Sequence, residues 1–424
     1  MAVVEQTLPI AGVIEGFYGQ PWSWSDRRHV ARFVGERGMT HYVWAPKDDP
    51  RHRSSWTEPH DVADLAGFEA IVTDGHVRLG YGISPVDIQV GDPAHLGALW
   101  AKVLSGVERG ASLVVLCLDD IPARPGLGAD HAGLVRWMYD RLDERADLVL
   151  VPTHYAGASS SPYLEAIVDG VPAEIPIAWT GPAVVHDRID AADARARAAV
   201  VGGRKPLLWD NAVANDGVMG DRLALGPLLG REPELRQHLS GYLVNGACQP
   251  RAACLPLASA AAWCAGRDPV AGWQQDCAGM EVLAQGCVGT EVVALVEDVL
   301  EGGSSQQLRR LLDAAVAYQA PDDVAAEVGP WVDQLHEEAA VSRAALDVLE
   351  GASDAATLLA SLLFRWPRLA RADVSVFGPR RASQLCLRQD ERLRFAPAGR
   401  LFVEDANATD RLVRAALGLA APAD

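Results

Sequence analysis

The chain has 424 residues, enough for one large domain and a smaller one, because single cores stop growing near about 250–300 residues. With 49% hydrophobic and 22% charged residues it has material for a sizeable core and falls outside the disordered class. Its 56 acidic against 38 basic side chains leave a net charge of -18, a field that repels phosphate backbones and anionic bilayers, so neither nucleic acid nor a membrane surface is an expected partner. In chain order, Met1 to Gly19 has no basic segment, no uninterrupted apolar run and no small-residue cleavage site, which makes cytoplasmic the expected location. Short β-branched runs then alternate with amphipathic helical stretches up to about residue 266. Strands are expected at Gly12–Tyr18, His41–Ala45, Val77–Ile83, Ser112–Leu118, Leu148–Pro152, Ile175–Trp179, Pro206–Trp209 and Gly241–Val244. Helices are expected between them, such as Ser25–Glu36, His95–Glu108, His131–Arg145 and Ala191–Val200. Strand and helix repeated about eight times over roughly 250 residues is the arithmetic of a (β/α)8 TIM barrel. A doubly wound sheet is disfavoured, since no Gly-x-Gly-x-x-Gly follows the first strand.

Past Ala265 the sequence becomes Ala-, Leu- and Glu-rich with helical spacing at Gln306–Tyr318, Asp323–Leu349, Ala355–Phe364 and Asp410–Leu417. The expected organisation is therefore an α/β barrel over 1–266 followed by a mainly α-helical C-terminal domain over 267–424. The less regular stretch Val374–Ala406 has no predicted place. The apolar side of Asp323–Leu349 needs a cover, from the barrel or from a second copy of the chain, and a homodimer through these helices is one expectation. The seven cysteines are scattered without a Cys-x-x-Cys pair and look like small buried hydrophobes.

Chemistry concentrates where the predicted strands end, the rim on which barrel enzymes build their sites. The first strand runs into Glu15-Gly16-Phe17-Tyr18, the second into Lys47-Asp48-Asp49-Pro50, and the fourth stops at Asp119-Asp120. The fifth ends in Thr153-His154-Tyr155, the seventh in Trp209-Asp210-Asn211 with Asn215-Asp216 after it, and the eighth in Asn245-Gly246. Two carboxylates side by side after a buried strand repel each other, so at least one is expected to keep its proton at higher pH than a free aspartate, as a general acid requires. An acidic cap or solvated turn is the alternative, and Asp48-Asp49 before Pro50 is expected to be one. Adjacent residues cannot flank a glycosidic bond at the roughly 5 Å separation of a two-carboxylate retaining glycosidase; substrate assistance, in which a 2-acetamido oxygen attacks C1, suits such a pair. Trp22, Trp44, Trp56, Trp179 and Trp209 lie near the rim and are candidates for sugar stacking or for packing, with Trp209 the preferred stacker. His52 and His154 have no second ligand at metal spacing.

The strings Gly12-Val-Ile-Glu-Gly-Phe-Tyr-Gly19, Tyr42-Val-Trp-Ala-Pro-Lys-Asp-Asp-Pro50, Asp119-Asp120-Ile121, Pro152-Thr-His-Tyr155, Trp179-Thr-Gly181 and Trp209-Asp-Asn-Ala-Val-Ala-Asn-Asp216, in that order and followed by Asn245, resemble glycoside hydrolase family 84, the family of protein O-GlcNAcases and bacterial β-N-acetylglucosaminidases. The resemblance spans roughly residues 11 to 265. It implies a retaining exo-β-N-acetylglucosaminidase working through an oxazoline, without metal or organic cofactor, on a glycoprotein or a small glycoside. It further implies that Asp119 orients the acetamido group and Asp120 is the general acid and base. Tyr155 and Asn211 would contact the acetamido group or the oxazoline, and Trp209 would wall that pocket. The Gly16 carbonyl and Lys47 would take the 3-hydroxyl, Asp216 and Asn245 the 4- and 6-hydroxyls. The sequence departs from the family in Ala156 and in Asn245-Gly-Ala-Cys248, where Asn-Pro-Met is usual. The competing readings are a noncatalytic N-acetylglucosamine-binding barrel and an unrelated TIM-barrel hydrolase.

Overall fold

Eight short strands, each buried on both faces, alternate with helices in the first part of the chain. The structure, a computed structural model, describes residues 8–369, 373–378, 387–389, 395–397 and 407–418. In chain order the elements are β1 (Ala11–Ile14), α1 (Trp24–Glu36), β2 (His41–Trp44), α2 (Val62–Asp74), β3 (Arg78–Ile83), α3 (Pro93–Val107), β4 (Ala111–Cys117) and α4 (Leu127–Leu142). They continue with β5 (Asp147–Val151), α5 (Pro162–Gly170), β6 (Ala178–Trp179), α6 (Ala191–Val200), β7 (Leu207–Asp210), β8 (Gly241–Asn245) and α7 (Pro250–Cys264). The strands pair in parallel in the order β5-β4-β3-β2-β1-β8-β7-β6. A parallel bridge between Leu150 and Ile177, with Leu150 N–H donating to the Pro176 carbonyl at 3.0 Å, joins the two ends of this sheet and makes it a barrel.

Alternation along the strands separates two cores. Ile14, Val43, Leu113, Val115, Val149, Leu207 and Leu243 fill the barrel interior. Val13, Tyr42, Val114, Leu116, Leu150 and Tyr242 point outward into the layer packed against the helices. Local signals set the helix starts: Ser23, Asp92 and Ser161 cap α1, α3 and α5 by accepting backbone N–H groups, and Asp190 with Asp193 forms a capping box on α6.

The eightfold strand and helix repeat is broken once. Between β7 and β8 the chain makes only 3-10 turns, Gly217–Met219 and Pro233–His238, because Gly217, Gly220, Gly226, Pro227, Gly230 and Pro233 interrupt any α-helix there. By contact density, residues 1–216 and 227–276 form one compact unit, which includes α8 (Pro269–Asp276).

The second unit comprises 217–226 and 277–424. Its described elements are α9 (Glu281–Val288), α10 (Thr290–Leu300), α11 (Gln306–Ala317), α12 (Ala325–Leu349), α13 (Ala355–Leu369), β9 (Leu387–Gln389), β10 (Phe395–Pro397) and α14 (Ala408–Ala416). Within this unit α12 buries Val328, Trp331, Leu335, Ala339 and Leu346 and packs on α11, α13 and α14. The cover expected from the barrel or a second chain is thus supplied by neighbouring helices of the same unit. The segment 217–226 is tied in through Asp221, whose carbonyl accepts the Trp331 indole N–H at 3.2 Å and the Ser375 N–H at 2.7 Å. Most of the 374–406 stretch lies outside the described residues. Asn407, which opens an Asn-x-Thr pattern, is buried as the cap of α14. No described helix is long and apolar enough to cross a membrane, and the six described cysteines are free.

Candidate active site

β4 builds the centre of the rim. Leu113, Val115 and Cys117 point into the barrel, and the same alternation carries Asp119 inward, where it is 6% exposed. Asp120 then takes φ 52, a left-handed conformation that costs about 1–2 kcal/mol for a residue with a Cβ. Lys47 continues the inward series Val43, Ala45 from β2 and is equally buried. Its ammonium pairs with Asp119 Oδ2 and lies 3.7 Å from Asp120 Oδ2. Asp119 Oδ1 is buried and has no hydrogen-bond partner.

Asp120 is half-buried and gathers donors. The Tyr18 hydroxyl donates to Oδ2 at 2.7 Å and the Tyr155 hydroxyl to Oδ1 at 2.9 Å, while Arg53 Nη1 lies 3.9 Å from Oδ2. Burial pushes this carboxyl up, but Lys47, the two phenols and Arg53 outweigh it and hold it below the usual aspartate range. At Asp120 the repulsion expected to raise one member of the pair does not prevail: the Lys47 cation and two O–H donors favour its ionised form. Burial and the neighbouring carboxylate push both phenols up, Tyr18 to about 12, so each is a neutral donor at ordinary pH.

A second cluster stands across the mouth. Asn245 Oδ1 accepts the Gly16 N–H at 3.0 Å, and its amide N–H donates to Asn211 Oδ1 at 3.1 Å. The Trp209 indole N–H donates to the same Asn211 oxygen at 3.0 Å, and Asn211 Nδ2 donates to the Val184 carbonyl. Gly16 is fixed by this packing, since a Cβ there would sit 2.3 Å from the Trp209 ring. Lys47 Nζ is 5.9 Å from the rings of both Trp209 and Tyr18, so the two clusters adjoin at Lys47. Asp216 reaches the same edge by accepting the Tyr18 N–H, and Asp48 accepts the Gly19 N–H at 2.7 Å. Asp49 caps the 3-10 turn Pro50–His52, as expected of a turn aspartate.

All nine residues singled out from the sequence therefore lie on this rim. The other proposed stackers do not face it: Trp22, Trp44, Trp56 and Trp179 are at most 4% exposed in the packed layer outside the strands. His154 is turned to Ser161 and Tyr163. Sequence reasoning missed Arg53 and the role of Tyr18 as a hydrogen-bond donor to Asp120, although Tyr18 sits in a quoted rim string. It also missed two buried ion pairs directly beneath the rim. Glu15 accepts from Arg27 at 2.8 and 2.9 Å, from Tyr42 at 2.7 Å and from Trp22 N–H at 3.0 Å. Asp210 accepts from Arg231 at 2.8 and 2.9 Å and from Tyr242 at 3.1 Å. Each carboxylate immediately precedes a rim residue, Gly16 or Asn211, and anchors the end of its strand.

Comparison with known proteins agrees with this constellation. A family model described as beta-N-acetylglucosaminidase matches residues 11–285. The protein O-GlcNAcases of Rattus norvegicus and Mus musculus are each 31% identical over 274 residues, 60% of this chain but only 30% of theirs. The structure of a mutant Thermobaculum terrenum O-GlcNAc hydrolase superposes with a TM-score of 0.76 over 87% of this chain and 92% of that one, at 23% identity, a likeness of fold. With the family match spanning most of the chain and every rim segment, the chain belongs to the β-N-acetylglucosaminidases of glycoside hydrolase family 84.

Proposed function

We propose that the chain is a retaining exo-β-N-acetylglucosaminidase that acts by substrate assistance on terminal O-linked N-acetylglucosamine. The observation that carries this reading is the orphaned Asp119 Oδ1: a buried acceptor without a donor costs about 1–3 kcal/mol or more until a ligand N–H fills it. A 2-acetamido N–H is such a donor. Held there, the acetamido oxygen attacks C1 as the glycosidic C–O bond breaks, forming an oxazoline that stays protonated on nitrogen and paired with Asp119, and Asp120 gives its proton to the leaving oxygen. In the second step Asp120 takes a proton from water, the water oxygen bonds to C1 and the oxazoline reopens, so two inversions give retention.

Tyr155 links binding to protonation. Its hydroxyl, which donates to Asp120 in the free site, is the donor we assign to the acetamido oxygen, and turning to that oxygen removes one of the bonds that keep Asp120 ionised. Trp209 and Asn211 wall the acetamido pocket. The Gly16 carbonyl and Lys47 take the 3-hydroxyl, and Asp216 with the remaining amide valences of Asn245 takes the 4- and 6-hydroxyls. The rodent relatives are named protein O-GlcNAcases, which favours a glycosylated protein over other aglycones. The test is release of chromophore from an aryl β-N-acetylglucosaminide, with the anomer formed first followed by NMR. The β-anomer is expected; the α-anomer, or no turnover, would overturn the proposal.

A further inference from the structure

A second cluster lies under the rim, on the outer side of β2 and β3. Asp49, His52 and His60 each present a ligand atom within 4.8 Å of the others. His52 is 2% exposed and His60 7%. His52 Nδ1 faces the Gly82 carbonyl at 2.6 Å and His60 Nε2 faces the Tyr81 hydroxyl at 2.8 Å. The opposite ring nitrogens, His52 Nε2 and His60 Nδ1, are buried with no hydrogen-bond partner. The two rings, tilted by 47° with centroids 4.7 Å apart, pack against the Trp44 ring at 4.3 and 4.6 Å.

We propose that Asp49, His52 and His60 bind one divalent transition-metal ion of the zinc class. Two imidazoles and a carboxylate are a zinc-type donor set, whereas magnesium and calcium take oxygen ligands. The outer nitrogens already have the second-layer partners that metal-bound histidines use, a carbonyl for His52 and a hydroxyl for His60. Around a tetrahedral ion with bonds of about 2.0–2.2 Å the donors stand roughly 3.5 Å apart, so the three groups draw in by about an ångström on binding. Burial pushes both imidazoles far down, His60 to about 3, which leaves their lone pairs unprotonated at working pH. The opposing charges are Lys102, Arg51 and Arg27, set against Asp49, Glu58 and Asp64. Lys102 is itself lowered by burial to about 8, so it gives up its charge more readily than an ordinary lysine. The ion would tie the two ends of the 49–60 segment to each other, and Arg53, next to His52, belongs to that segment.

This proposal is independent of the glycosidase reading, and its test does not use activity. Full-length protein is stripped with chelator and titrated with Zn2+ by calorimetry, and with Co2+ while its visible absorption is recorded. One equivalent of Zn2+ and a Co2+ ligand-field band are expected. His52→Gln, His60→Gln and Asp49→Asn should each bind at least tenfold more weakly, with circular dichroism and melting in chelator unchanged. A His154→Gln control should keep the site, separating it from the chain's other histidines. If His52→Gln does not fold, His60→Gln and Asp49→Asn carry the test. No stoichiometric uptake by the wild type, as when a water bridges the two nitrogens, would overturn the proposal, and so would uptake that survives in His60→Gln and Asp49→Asn.

Discussion

Asp119 and Asp120 are neighbours in sequence but meet different surroundings, one pointing into the barrel with an oxygen unpaired and the other turned by a left-handed backbone toward two phenols. Under the proposed roles, Asp120→Asn should cost about 10²–10⁴-fold on substrates with poor leaving groups, the usual worth of a general acid, and far less on activated aryl glycosides. Asp119→Asn should slow both, because oxazoline formation precedes any leaving-group effect; steady-state kinetics across a leaving-group series checks this, and equal losses for Asp120→Asn would refute the assignment. A pH prediction follows from the donors. An acid must be protonated, so kcat/KM falls as pH rises through its pKa. Tyr18 holds Asp120 down by donating to it. Tyr18→Phe removes that stabilisation of the anion, raises the acid's pKa and should move the basic limb of the kcat/KM profile to higher pH. A shift to lower pH would mean that Asp120 is not the group titrating there.

The strands show how much of this was legible beforehand. A strand buried on both faces reads as a continuous apolar run, and the expected strands overlap all eight observed ones for that reason. Alternation also reaches past the strand ends. Ile14 to Gly16, Ala45 to Lys47, Cys117 to Asp119, Trp209 to Asn211 and Leu243 to Asn245 are all spaced by two, so polar residues at inward register could be picked out without coordinates. What the sequence could not show is what arrives from elsewhere. The partners of Glu15 and Asp210 lie 12 and 21 positions away on other elements, and His60 reaches His52 only because the 49–60 segment folds back over β3. The Glu15 anchor makes a stability prediction. Arg27→Met strands a carboxylate that is fully buried, and breaking such a pair from one side costs about 3–5 kcal/mol. Urea denaturation should register that loss, whereas a change under about 1 kcal/mol would show that the pair is not a structural anchor.

At the scale of the molecule, the division of the chain is not a single cut. Residues 217–226 leave the barrel sequence and belong to the helical unit, held through Asp221 by Trp331 and Ser375. Truncation after Asp276 therefore removes the partners of a segment that begins one peptide bond after Asp216. The expected result is a folded barrel with kcat/KM on a small aryl glycoside lowered at least about tenfold, near 1.4 kcal/mol of lost transition-state binding. Kinetics and circular dichroism on the truncated chain check it, and undiminished kcat/KM would show that Asp216 is placed by the barrel alone. The same threading sets an order of failure on heating. If the helices come apart first, the connection between Asp210 and Gly241 loses its tether, and turnover should cease while the barrel's secondary structure is still intact. Enzyme inactivation would then report the melting of a part of the chain to which none of the proposed site residues belongs.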